Sequence, residues 1–263
     1  MMARIIDNDQ IHANGNIIAG GDIQSGDKII EKNIENMNAV FNTNNYYVGL
    51  SPQQYEQLTQ DILSKVKYML EKKEKEDIII PDRDIFIPAM QVLTNKFERE
   101  DIREMFIKLL SNSMDKKTKE KVHPSYVDIL KNMDSLDAAL FKKLLEKEVK
   151  YIKTINPKIA IKGTDKVFTN ALPDWFVDVN IARYDMFQIS KSLINLDRLG
   201  IIELMYDRTA GTDGYDILEE NSNLKEILKK YQYYNQDKDL ELKSTRSVIN
   251  VTEYGRELAQ ICL

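Results

Sequence analysis

The chain has 263 residues, 43% hydrophobic and 30% charged, which is ample apolar content for a sizeable core. Its 42 acidic residues outnumber 37 basic ones, and the formal net charge of -5 weighs against non-specific coating of nucleic acid or of an anionic membrane. No apolar run nears the ~18 residues of a membrane span, and no basic-then-apolar leader opens the chain. The single cysteine, Cys262, excludes an intramolecular disulfide framework and suits a reducing cytoplasm.

The first predicted element is a repeat. Ile5, Ile11, Ile17, Ile23 and Ile29 fall six residues apart and open the hexads IIDNDQ, IHANGN, IIAGGD, IQSGDK and IIEKNI. Asn, Asp and Gly recur at the fourth and fifth positions, Gly20, Gly21 and Gly26 among them, and these types tolerate left-handed backbone. Each hexad can thus be a short strand and a corner with its leading isoleucine inward, the pattern of a β-helix. Five hexads make fewer than two three-sided coils, whereas a solenoid needs about three repeats to hold. Residues 1–34 are therefore expected to pair with copies of themselves. The five isoleucines and Gly20, Gly21 and Gly26 would form the contacts of a homo-oligomer. The glycine spacing fits neither Gly-x4-Gly-Lys-Ser/Thr nor Gly-x-Gly-x-x-Gly, so the stretch reads as architecture rather than a phosphate cradle or a flexible tail.

Residues 35–49 are Asn-rich and without period, and read as a linker. A helix opens at Ser51-Pro52, carries Leu58, Ile62, Val66, Met69 and Leu70 at helical spacing, and ends in the solvated run EKKEKED. Further helices are predicted over about 83–97, about 99–114, after His123-Pro124, and over about 135–152, with a strand or hairpin over 158–169. The last third reads as a helix with an apolar stripe of Phe187, Leu193, Ile194, Leu196 and Leu199, then Gly200 and the strand IIELMY. A turn (TAGTDG), a helix near 222–233, the strand RSVINV and a final helix capped by Thr252 complete it. A helix ending in Leu-Gly-Ile-Ile, strands, and Val-Thr-x-x-Gly opening a last helix is the order of a winged helix. The expected fold is mainly α (α+β): a helical domain over 50–170 and a winged-helix-like domain over 171–263, preceded by the β-repeat.

Several separate words in the right order resemble the abortive-infection alpha family of bacterial proteins over about residues 50–263. They are Arg103, Glu104, Phe106, Leu109 and Leu110, the turn Met114-Asp115-Lys116, the element His123-Pro124-Ser125-Tyr126, and the pair NLDRLGII (195–202) with VTEYGRELAQIC (251–262). The hexads lie outside the resemblance. It implies a setting in resistance to phage and no particular reaction, hence a non-enzymatic component that acts through oligomerisation and through binding a phage or host protein. Arg103, Asp115, Lys116, His123 and Ser125 are the candidate partner or ligand surface, because short polar words between packed helices tend to lie outside.

Competing chemistries leave fewer marks. Two histidines and one cysteine, far apart, supply no zinc spacing, and no cofactor motif is present. His123 could serve an uncharted hydrolytic effector as acid or base, or be held extended by Pro124 as a structural residue. A DNA-reading winged helix would use Lys191, Asn195 and Arg198, but Asp185, Asp197, Glu203 and Asp207 surround them, and binding of nucleic acid is not expected.

Overall fold

The computed structural model describes residues 26–43, 51–96, 99–168, 170–206 and 208–263. Helices dominate: α1 (Gly26–Thr43), α2 (Pro52–Glu71), α3 (Arg83–Asn95), α4 (Glu100–Ser113), α5 (Ser125–Asn132) and α6 (Ser135–Leu145) come first. They are followed by β1 (Tyr151–Ile161), β2 (Val167–Phe168), α7 (Met186–Arg198), β3 (Ile202–Met205), α8 (Asp216–Glu219), α9 (Ser222–Tyr234), β4 (Leu240–Val251) and α10 (Glu253–Cys262). No helix among the described residues is long and apolar enough to cross a membrane.

The opening at Ser51 forms as its residues dictate. Ser51 Oγ accepts the Gln54 amide at 3.3 Å, Gln54 Oε1 accepts the Ser51 amide at 2.9 Å, and Pro52 occupies the first turn. Two stretches differ from expectation at the N-terminal side. Gly26, Ile29 and the whole of the last hexad lie in helix α1, as do residues 35–43 of the expected linker. The reason is a helical period that overlaps the six-residue one: Ile30, Asn33, Met37 and Phe41 are buried at spacings of three and four, while Ile29 is half-buried beside them. Each large apolar side chain so buried is worth roughly 2 kcal/mol. Ile5, Ile11, Ile17, Ile23, Gly20 and Gly21 lie outside the described residues.

Helix α4 is the centre of the body. Ile102, Met105, Phe106, Leu109 and Leu110 are all within 1% of full burial, and α2, α3, α5, α6 and α10 pack around it. Helix α6 stops at Leu145 instead of running to 152, and the strand that follows begins at Tyr151, earlier than the alternation over 158–169 suggested. A neighbour decides this: β1 pairs with β4 along its whole length, from Tyr151 opposite Asn250 to Ile161 opposite Leu240. The antiparallel sheet has the order β2-β1-β4-β3.

The sheet lies between two apolar clusters. Ile152 and Ile249 join the large cluster around α4, while Ile155, Ile159 and Leu242 face a smaller one with Tyr215, Leu218 and Leu224 of the α8–α9 region. That division follows from the alternation of side chains along a strand. On α7 the buried positions are Ile189, Ser190, Ser192, Leu193 and Leu196, whereas Phe187 and Ile194, expected inward, are 37% and 42% exposed. Ser190 and Ser192 turn inward because each has a buried polar partner: Ser190 Oγ accepts the Trp175 amide at 3.0 Å, and Ser192 Oγ donates to Asp137 at 2.6 Å.

Candidate functional site

The polar words of the sequence converge on three centres. The first surrounds the turn after α4. Asp115 is 5% exposed, and its Oδ2 accepts from Lys73 Nζ at 2.7 Å while its Oδ1 accepts the Lys117 amide at 2.8 Å. Lys73 also donates to Asn112 Oδ1 at 3.1 Å, and Asn112 Nδ2 reaches the Ile261 carbonyl at 2.8 Å. The turn is further tied to residues 76–79: the Ile79 amide donates to Met114 O at 3.0 Å, the Lys116 amide to Asp77 O at 2.9 Å, and Lys116 Nζ to Glu76 O at 2.5 Å. Burial pushes the Asp115 carboxyl up, but the hydrogen bond from Lys73, the Lys117 amide and the nearby ammonium charges outweigh it and hold it below the usual carboxylate range.

The second centre joins α5 to α10. Pro124 and Ser125 open α5, and the Ser125 amide donates to His123 Nδ1 at 3.2 Å, so the imidazole caps the helix. Ser125 Oγ lies 2.5 Å from the same Nδ1 and also bonds the Tyr254 hydroxyl. The Tyr126 and Tyr254 rings sit 5.4 Å apart, and burial pushes the Tyr126 phenol up to about 12. The chain His123–Ser125–Tyr254 therefore holds the His-Pro-Ser-Tyr word against the first turn of the last helix. At the other side of that turn, Thr252 Oγ1 accepts the Gly255 amide at 2.9 Å and donates to the Gly200 carbonyl at 2.8 Å. A Cβ at Gly255 would run into the Ile201 carbonyl, so Val-Thr-x-x-Gly and Leu-Gly-Ile-Ile are two halves of one contact.

The abortive infection alpha family matches residues 53–262. The chain belongs to the abortive infection alpha family. The words that carried the resemblance thus carry the packing of this abortive infection alpha protein. Searches of curated proteins and of solved structures find no match.

The third centre lies between α6 and α7. Asp137 is 3% exposed; it accepts from Ser192 Oγ at 2.6 Å, from Asn195 Nδ2 at 2.8 Å and from the Asp134 amide at 2.9 Å. Burial and the neighbouring Asp134 charge raise its carboxyl, and those three donors only partly oppose them. Asn195 Oδ1 in turn accepts from Arg198 Nε at 3.2 Å and Nη2 at 2.7 Å. Two of the three candidate nucleic-acid contacts of this abortive infection alpha protein are therefore engaged with each other and with Asp137; Lys191 is exposed. Arg103 is buried with Glu100 3.9 Å from its guanidinium, so it is not surface either. Of the expected partner surface, His123 and Lys116 are exposed, Ser125 is half-buried, and Asp115 is buried. Among the described residues no three His, Cys, Asp or Glu side chains gather as metal ligands would.

Lys73, Asp137 and Tyr254 carry these centres; sequence reasoning reads Asp137, with Asp134, only as a charge at a helix N-terminus, and gives Lys73 and Tyr254 no role of their own. Lys73 sits in EKKEKED, whose composition signals only solvation. Asp137 had a signal: Asp134 and Asp137 stand three apart at a helix start, and they form a reciprocal cap.

Proposed function

We propose that this abortive infection alpha protein is a non-enzymatic, cytoplasmic component of bacterial anti-phage defence that self-associates through the hexads preceding α1 and binds a phage or host protein. The observation that carries the reading is that the family's polar words are engaged in packing contacts: Asp115 is buried on Lys73, and His123, itself exposed, accepts the Ser125 amide and is tied through Ser125 to Tyr254. An imidazole whose Nδ1 accepts its own helix's amide has a structural role before any chemical one. The segment α7–β3–β4–α10 is read as a winged-helix-like module that presents the partner-binding surface. Its support is the exposed stripe of Phe187, Lys191 and Ile194 on α7, spaced four and three apart on one face.

The test is phage plating on cells expressing wild type, a chain lacking residues 1–25, His123→Ala, and Phe187→Asp with Ile194→Asp. Protection that survives His123→Ala but falls on loss of the hexads, and on the α7 change, is expected. Protection lost in a folded His123→Ala protein, together with a cleavage product made only by wild type, would establish the hydrolytic alternative instead. Sequence-selective duplex binding abolished by Lys191→Glu would favour a DNA-reading regulator.

A further inference from the structure

Helix α9 turns Leu224, Ile227, Leu228 and Tyr231 toward the small cluster and leaves Lys229, Lys230, Tyr233 and Tyr234 outside. Tyr233 and Tyr234 are 69% and 72% exposed, the highest of the large hydrophobic side chains among the described residues, and their rings meet edge to face with centroids 5.3 Å apart. Core packing does not account for them. Among the described residues neither Lys229 nor Lys230 has an ion-pair partner, whereas nearby lysines do: Lys225 with Glu220, Lys238 with Asp237 and Lys243 with Glu241.

From this we infer that the outer face of α9 binds single-stranded nucleic acid, about two nucleotides at a time. The spacing supplies the reason. Lys229 lies one helical turn from Tyr233, and Lys230 one turn from Tyr234, which sets the Cβ atoms of each pair about 5–6 Å apart. Two lysine–tyrosine pairs on one face set cationic side chains beside exposed rings, matching the alternation of phosphate and base along two successive nucleotides. Every base offers a π face to an exposed ring, and phosphate meets an ammonium that has no other anion to satisfy it. The face is positive on a chain whose net charge is -5, so the complementarity is local. Glu226, one turn earlier on the same side, limits the footprint at that end. A duplex fits poorly, because its base faces are stacked away from the tyrosines.

The experiment uses the full chain and a labelled oligo-dT of about 12 nucleotides, within the length a single binding module covers, read by fluorescence anisotropy. Saturable binding is expected at low salt, weakening with a log–log slope near -1.4 for two phosphates released from a single strand. Tyr233→Ala and Tyr234→Ala should each weaken it by at least about fivefold. Lys229→Gln with Lys230→Gln should flatten the salt slope, and Lys191→Gln, on α7, should change nothing. Circular dichroism serves to check that these surface variants fold. Absence of binding at low salt overturns the inference, as do indifference to both tyrosines, a preference for duplex of the same length, or equally tight binding of oligo-glutamate, a polyanion without bases. None of these outcomes bears on the phage-plating result, so the two proposals stand or fall separately.

Discussion

Removing Lys73 tests whether the buried turn holds the body together. Lys73→Met deletes the ammonium that meets Asp115 at 2.7 Å and Asn112 at 3.1 Å, while leaving the Asp115 carboxylate in place at 8% side-chain exposure. Breaking a buried pair from one side costs about 3–5 kcal/mol, because the remaining charge is left without its partner. Lys73 keeps 18% exposure, so the low end, about 3 kcal/mol, is expected. Asp115→Asn should cost less, about 1.5 kcal/mol, since an amide oxygen can still accept the Lys117 amide and Lys73 can still reach Asn112. The double variant should cost clearly less than the sum of the two. Urea unfolding monitored by circular dichroism measures all three. The pH dependence is an independent check. The folded Asp115 value is depressed, so its stabilisation is present above the unfolded carboxyl value of about 3.9 and is lost as pH falls below that toward the folded value. The gap between wild type and Asp115→Asn should therefore close in acid. Strict additivity, or a loss below about 0.5 kcal/mol for Lys73→Met, the size of an ordinary surface change, would refute the reasoning.

Asp137 should behave with the opposite sign. Its folded value is raised, so its stabilisation is full below the unfolded carboxyl value and declines as pH rises through the folded one; Asp137→Asn should improve relative to wild type from acid to neutral pH in the same urea assay. Gly255→Ala should cost about 1–3 kcal/mol by forcing α10 away from the Ile201 carbonyl, seen as a lower urea midpoint. Gly200→Ala, where φ is 74° but the space is open, should cost only about 1–2 kcal/mol and leave the α10 contact intact. Tyr254→Phe should cost about 1 kcal/mol through the lost bond to Ser125, and the same change in a Ser125→Ala background should cost less.

Much of the helical body could be read from spacing alone. Ser51 and Pro52 announce α2, and the apolar positions of α4 are fully buried where the period put them. What the sequence hid were choices made by distant partners. The start of β1 at Tyr151 depends on β4, some ninety residues later. The inward face of α7 is set by two serines that would look solvent-facing in isolation and turn inward only because Asp137 and the Trp175 amide wait for them. Met114-Asp115-Lys116 looked like surface because it is short and polar. Asp115 is nevertheless buried, since Lys73 from the end of α2 supplies the opposite charge, and no local pattern could reveal that pairing.

The entry of α1 into the fold bears directly on any test of self-association. Gly26 lies so close to Lys75 that a Cβ there would meet its carbonyl, and Asp27 pairs with Lys75 Nζ at 2.6 Å. Seven residues on, Asn33 donates to the Ile79 carbonyl at 3.0 Å, while the Ile79 amide holds Met114 of the turn. From there Asn112 continues to Ile261 in α10. The start of α1 is thus bonded to the segment that secures the Lys73–Asp115 centre, and Ile30, Met37 and Phe41 add core burial behind it. A truncation reaching residue 36 would remove Ile30 and Asn33 and damage the body, so a lower oligomeric state in that variant would say nothing about the hexads. A cut before Gly26 leaves α1 whole. If the hexads drive assembly, the chain beginning at Gly26 should keep its helical signal and unfolding midpoint while its mass by light scattering falls. An unchanged mass would remove the hexads from the account of assembly.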